Sequence, residues 1–295
     1  TGFNWQEFGR NAKIIQIDID KSELEKGHPN IHMGLDVDAN DFIEKLLSRN
    51  LSGRKDWFKE AQKIERKIPR IEDVNMTGDD YISPYDFIVD LEAITKNDDV
   101  IIPCSSGSAF TLTMSLYKPK YGQRILTNKQ LASMGYGLSG AIGAAIAKKD
   151  KRTILIEGDG GFAQNLQEIG TAKINKLNLK IFIFDDQGHA SIRMTQKNYF
   201  NGKYLGCDTD SGLGLPNWMK LFKAWDVPVM EVNKYYSKNK DFLNAFNSKG
   251  IKAFIVKIDP EQTYLPKTSS RVMASGSMES NPIDIMSPEI NWNKL

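Results

Sequence analysis

The stretch that decides the fold is RTILIEGDGGFAQNLQEIGTAKINKLNLKIFIFDDQG, residues 152–188. It opens on an unbroken apolar run, 153–156, and closes on a second, 181–184. Continuous apolar runs of this length read as strands buried on both faces. Between them FAQNLQEIGTAKINK (162–176) has helical spacing. Strand, helix and strand in this order argue for a parallel sheet. Each strand ends on an acid set among turn residues: Gly158, Asp159, Gly160 and Gly161 after the first, Asp185, Asp186, Gln187 and Gly188 after the second.

Working outward, the same alternation continues. DVIIPCSSGSAF (99–110) reads as a strand entering a Gly/Ser turn, and GYGLSGAIGAAIAKK (135–149) as a helix rich in small residues. HASIRMTQKNYF (189–200), PNWMKLFKAWDV (216–227) and KDFLNAFNSKG (240–250) read as helices, and KAFIVKID (252–259) as a strand. SPYDFIVDLEAITKNDD (83–99) starts a helix with Ser83 as N-cap and Pro84 at the first helical position. Upstream, AKIIQIDID (12–20) alternates like a short strand, and DANDFIEKLLSRNL (38–51) is helical. GRKDWFKEAQKIERKIPR (53–70) is a charged, exposed helix stopped near Pro69. From DPEQTYLPKTSS to the end the chain reads as irregular. The expected class is α/β: a doubly wound, mostly parallel sheet with helices on both faces, preceded by a fragment of a second α/β domain.

The bulk numbers narrow the function. The chain has 295 residues and a formal net charge of +2. That charge gives no support for nucleic acid or a membrane surface as the main partner. No run approaches the roughly 18 apolar residues of a membrane helix. Cys104 and Cys207 read as reduced thiols of a cytosolic protein. The first residue is Thr1, which suggests a piece of something longer.

In an open parallel sheet, ligands bind beyond the carboxyl ends of the strands. Three loops fall there: 103–109, 157–161 and 185–189. Glycines let the backbone approach a ligand closely, and amides at a helix start hold phosphate oxygens. Asp159 would repel a phosphate directly, but a divalent cation between carboxylate and phosphate reconciles them. Asp185 and Asp186 are the obvious candidates for the second ligand, Asp186 lying 27 positions later, about one strand–helix–strand unit. The plainer alternatives are a simple turn at 158–160 and a helix N-cap pair at 185–186.

GDGGFAQNLQEIGTAKINKLNLKIFIFDDQG resembles the cofactor motif of thiamine diphosphate-dependent enzymes: Gly-Asp-Gly, a spacer of roughly two dozen residues, then Asn-Asn or a variant. The chain looks like the C-terminal half of the acetolactate synthase-like group. NAKIIQIDID resembles the last strand of that group's central domain. LTNKQLASMGYGLSGAIGAAIA (126–147) resembles the segment that presents the residue bending the cofactor, and YLPK with NPIDIMSP resembles the C-terminal arm. HASIRMTQKNYFNGKYLG and DSGLGLPNW look closest to members found in polysaccharide biosynthesis.

The resemblance implies residues 1–50 as the end of the central domain, 51–80 as linker helix and loop, 81–262 as the cofactor-binding domain and 263–295 as the arm. It implies Mg²⁺ held by Asp159, Asp186 and the Gly188 carbonyl. It implies thiamine diphosphate held by Ser106, Gly107, Ser108, Ser133, Met134, Gly158, Gly160, Gly161, Gln187, Gly188 and His189. Met134 would enforce the bent cofactor. The group's catalytic glutamate would lie before Thr1, so no catalytic residue is expected here except the candidate proton relay His189. The chain alone is then expected to be inactive. The implied activity is decarboxylation of a 2-oxo acid, pyruvate foremost, with transfer to a carbonyl acceptor, in a cytoplasmic homodimer or homotetramer.

Two departures stand out. Asp186 replaces the usual Asn, and SSGSA replaces a pattern that usually carries Gln and His. A non-catalytic cofactor-binding or regulatory homologue, and a Mg²⁺-dependent nucleotide or phosphate-binding domain, remain alternatives. Gln187, His189 and Arg193 are expected to face the cleft. Tyr199, Phe200, Tyr204 and Trp218 are expected in the core, and His28 and His32 at the surface.

Overall fold

The apolar runs become the centre of a parallel sheet. The computed structural model describes residues 5–49, 52–104 and 106–289. Thr1, Ser105 of the first loop and the last part of the expected arm (290–295) lie outside them. The chain divides into two units, Thr1–Pro69 with Leu265–Leu295, and Arg70–Tyr264.

In the first unit, β1 (Ile15–Asp18) pairs in parallel with β2 (Met33–Asp36), joined through α1 (Lys21–Glu25). Asp20 caps α1, and Asp38 caps α2 (Ala39–Leu47), each accepting a backbone N–H two residues on. α3 (Lys55–Lys67) has no buried residue, as its charge pattern predicts, and ends just before Pro69.

The second unit begins with α4 (Pro84–Ile94), capped by Ser83 with Pro84 in its first turn. Then come β3 (Val100–Ile102), α5 (Gly107–Leu116), β4 (Arg124–Ile125) and α6 (Tyr136–Ala147). β5 (Thr153–Gly158) leads directly into the single turn α7 (Asp159–Phe162). α8 (Ile169–Ile174), β6 (Leu179–Asp185), α9 (Ala190–Tyr199) and α10 (Trp218–Ala224) follow. β7 (Val229–Glu231), α11 (Lys240–Asn247) and β8 (Lys252–Lys257) complete the unit. The six strands lie in the order β4-β3-β5-β6-β8-β7, all parallel.

Strand alternation builds two cores. Phe182, Phe184 and Phe254 face one side with Phe87 and Phe246, while Leu155, Ile181, Ile183 and Ile255 face the other with Leu138 and Phe222. On the first side the Phe182 and Phe254 rings stack at 4.8 Å, and Phe87 meets Phe182 edge-on at 5.2 Å. From β3 the chain winds to β4 at one edge; from β5 it winds toward the other. The strand order therefore reverses between β3 and β5, where such sheets leave a crevice at their carboxyl ends.

Two expectations need correction. The single helix over 162–176 is broken: helical geometry starts already at Asp159, then a 3₁₀ segment (Ala163–Glu168) intervenes before α8. Asn165 leaves helical dihedrals because its side-chain amide donates to the Gly135 carbonyl and the Ser139 hydroxyl. The tail is also less irregular than it reads. β9 (Lys267–Thr268) pairs with β12 (Met286–Ser287), and β10 (Ser270–Val272) with β11 (Met278–Ser280), both antiparallel. These belong to the first unit, where Arg10 grips Asp284 with two hydrogen bonds. Among the described residues no helix is long and apolar enough to cross a membrane.

One polar group interrupts β6. Lys180 is fully buried, and its ammonium donates to Asn178 Oδ1 (3.0 Å) and the Gly250 carbonyl (2.6 Å). Burial first, then Lys252 and Arg152, push its pKa from 10.5 down to about 7. Because the folded value lies below the unfolded one, folding releases a proton between those limits, and stability rises with pH across that window. We expect the thermal midpoint to climb between about pH 7 and 10.5, and Lys180→Met to flatten the climb. Melting curves with an equal climb in both proteins would contradict this assignment.

Candidate functional site

β5 and β6 run side by side with Gly158 opposite Phe184. That register puts Asp159 level with Asp185 at the two strand tips. Asp159 is fully buried. Its Oδ1 accepts from the Gly160 amide (2.5 Å) and its Oδ2 from the Gly188 amide (3.1 Å), so one carboxyl group ties both tips together. Asp186 is also buried, and its Oδ1 has no hydrogen-bond partner.

The electrostatics are strained in one direction. Burial, then the neighbouring Asp186 and Asp185, push the Asp159 pKa well above the carboxylate range. Burial raises Asp186 to about 7, with Arg193 opposing. Asp185 is raised by burial as well. Carboxyl groups this close, out of water, keep their charges only beside a cation. An orphaned buried oxygen on Asp186 and a second carboxylate beside it fit a small divalent ion. Among the described residues no three Asp, Glu, His or Cys side chains form a metal cluster. A cation here would draw on two carboxylates and a backbone carbonyl, leaving positions for phosphate and water.

Above the acids opens a cavity of about 310 Å³. It lies at the carboxyl ends of β3, β5 and β6, where the strand order reverses. Ser106, Gly107 and Ser108 line it from the start of α5, and Gly158, Gly160 and Gly161 from the start of α7. Asp186, Gly188, His189 and Met134 close the remaining sides. Met134 is 48% exposed, so it stands in the cavity rather than in the core. Gly160 has no room for a side chain: a Cβ would sit 2.3 Å from His189 Nδ1 and 3.1 Å from the Gly188 carbonyl. Burial and Arg193 lower the His189 pKa, so its ring is neutral at pH 7.

Some expected residues lie elsewhere. Ser133 is outside the cavity lining, and Asp159 lies beneath it. Gln187 does not face the cleft; it is exposed in a left-handed conformation, φ 61°. Arg193 does not face it either; it is buried under the loop. Of the four aromatic residues expected in the core, only Trp218 is there, edge-on to Phe162 at 5.7 Å. Tyr199, Phe200 and Tyr204 are exposed at the end of α9 and beyond. His32 is exposed and accepts from the Ile14 amide, and His28 is exposed.

Glu157 is the residue sequence reading missed. It is buried, lines the cavity, and lies against the amides of Gly135, Gly137 and Leu138 at the start of α6, with its Oε2 left without a hydrogen-bond partner. Burial raises its pKa to about 8, so near neutrality it adds little charge beside a bound anion. A Cβ on Gly137 would lie 2.5 Å from its carboxyl oxygen. The signal was present as an acid inside an otherwise apolar strand.

Comparison with known proteins gives the family and supports the fold. The family model "Thiamine pyrophosphate enzyme, C-terminal TPP binding domain" matches residues 105–256. The chain belongs to the thiamine pyrophosphate enzyme family. Thiamine pyrophosphate and thiamine diphosphate are one cofactor. The acetolactate synthase isozyme 1 large subunit of Escherichia coli is 26% identical over 88% of this chain and 45% of its own length. The probable acetolactate synthase large subunit of Methanococcus aeolicus is 30% identical over 82% of this chain and 42% of its own. The chain thus spans less than half the length of these relatives. Benzoylformate decarboxylase from Polynucleobacter necessarius has the same fold, with a TM-score of 0.65 at 17% identity over 86% of this chain and 46% of that one. In this family member the cavity sits where the cofactor-binding domain's own loops converge.

Gly160→Ala should weaken thiamine diphosphate binding with Mg²⁺ by about tenfold or more. In a His189→Ala background the same change should cost less, because the ring it meets is gone. Calorimetric titration of the four proteins checks this, and equal losses in both backgrounds would contradict it.

Proposed function

We propose that this chain supplies the diphosphate- and metal-binding half of an enzyme that decarboxylates a 2-oxo acid, pyruvate foremost, and passes the product to a carbonyl acceptor. The carrying observation is the pair of buried carboxyl groups, Asp159 and Asp186, under a glycine-lined cavity at adjoining strand tips. Acetolactate formation is the outcome that the relatives' names favour. In the whole enzyme, working as a homodimer or homotetramer, further residues would complete the site.

The residues present fit thiamine diphosphate with Mg²⁺. When bound, the cofactor supplies the electron sink that makes loss of carbon dioxide feasible. Asp159, Asp186 and the Gly188 carbonyl hold the cation. The Gly161 amide, at the start of α7, would face the diphosphate, while the Gly160 amide is taken by Asp159, and the hydroxyls of Ser106 and Ser108 would add donors from α5. Met134 projects into the cavity and sets the shape a bound cofactor must take. His189, neutral and half-buried, is placed to take or give a proton at Nδ1.

Asp159→Ala should abolish metal-dependent cofactor binding, read by calorimetry with and without Mg²⁺; unchanged affinity would remove Asp159 from the metal site. Asp186→Asn should keep or improve affinity, since it removes one of two crowded charges. A loss of about tenfold, roughly 1.4 kcal/mol, would contradict that. A nucleotide bound in place of thiamine diphosphate would favour a nucleotide-binding domain instead.

A further inference from the structure

Arg193 lies beneath the metal loop and uses its guanidinium on the loop's backbone. It is 4% exposed. A buried guanidinium is costly unless its donors are used. Here Nη1 donates to the carbonyls of Asp186 (3.2 Å) and Pro260 (2.9 Å), Nη2 to the carbonyl of Gln187 (3.1 Å), and Nε to Asp208 Oδ2 (3.3 Å). One planar group therefore joins the tip of β6, the segment after β8 and the turn at 207–211.

The loop it holds needs holding. Gln187 has φ 61° and Gly188 φ 148°. A Cβ on Gly188 would sit 2.1 Å from the Cys207 carbonyl and 3.0 Å from Arg193 Nη2. Backbone in such regions persists only where the surroundings over-determine it. Two further contacts brace it: the Gly188 amide to Asp159, and the antiparallel bridge between Gly188 and Asp208, in which the His189 amide bonds the Cys207 carbonyl (2.8 Å). Asp208 stays ionised, its pKa lowered by Ser211 first and Arg193 after, so it balances the buried cation.

We propose that Arg193 is a positioning residue that locks residues 186–188 into the narrow geometry Mg²⁺ requires, through carbonyls rather than through any contact with the ion. The inference rests on the reading of Asp159, Asp186 and Gly188 as the ion's ligands. Mg²⁺ demands near-ideal octahedral geometry at about 2.0–2.1 Å, whereas Ca²⁺ tolerates irregular sites at about 2.3–2.6 Å. A loop released from Arg193 loses the first property sooner than the second. Lysine cannot substitute, because its point charge lacks the planar fork that spans these acceptors.

The test titrates MgCl₂, and separately CaCl₂, into the full chain at saturating thiamine diphosphate, for wild type, Arg193→Lys, Arg193→Gln and Asp208→Asn. Thermal midpoints are recorded for each protein. In Arg193→Lys the dissociation constant for Mg²⁺ should rise about tenfold while that for Ca²⁺ changes by less than about threefold. Asp208→Asn should fall between this variant and wild type. A purely structural role would weaken both cations by one factor in step with the lost midpoint, and that result, or no change, overturns the inference. Should Arg193→Gln not fold, the other two variants decide. Wild type binding the cofactor equally with and without either cation would instead sink the ligand assignment, and the inference with it. Cation-dependent wild type with an unaltered preference in Arg193→Lys sinks this inference alone.

Discussion

Two carboxyl groups, Asp159 and Asp186, are buried at neighbouring strand tips, and the cost of burying their charges organises what surrounds them. Like charges in a low-dielectric setting either take up protons or gather a cation. The surroundings favour the second course. Asp159 is held ionisable by two amide donors, Asp186 keeps an oxygen unpaired, and glycines at 158, 160 and 161 keep the space above them clear. Glu157, two residues before Asp159, is raised by burial and contributes little charge near neutrality. Arg193, the nearest base, spends its donors on carbonyls and on Asp208.

The fold explains why these acids meet. Parallel pairing with Gly158 opposite Phe184 brings both tips to one height, and the reversal of strand order between β3 and β5 keeps helices from closing over them. The same cavity then receives the start of α5 with its serines and the turn that carries Met134. Glycine amides, paired acids and serine hydroxyls thus converge from three neighbouring strand ends.

Much of this was legible in the sequence because it depends on local pattern. The runs 153–156 and 181–184 read as doubly buried strands and are so, and the Gly-Asp-Gly turn after the first pointed to the strand tips. What escaped depends on contacts across the chain. Asn165 breaks its helix by bonding to Gly135 and Ser139, some thirty residues earlier. Arg193 turns inward because acceptors at 186, 187, 208 and 260 converge on it, a convergence no spacing reveals. Glu157 looked like the polar end of a strand until the amides of the α6 start were placed against it. The short strands β9 to β12 carry no periodicity because each buries too little to demand one.

The sharpest test is direct. Crystals of the chain grown with thiamine diphosphate and Mn²⁺ in place of Mg²⁺ should show one anomalous peak, within about 2.0–2.4 Å of a carboxylate oxygen of Asp159, one of Asp186 and the Gly188 carbonyl. A peak at any other place, or an ordered diphosphate in the cavity with no ion between it and those two acids, would contradict the account.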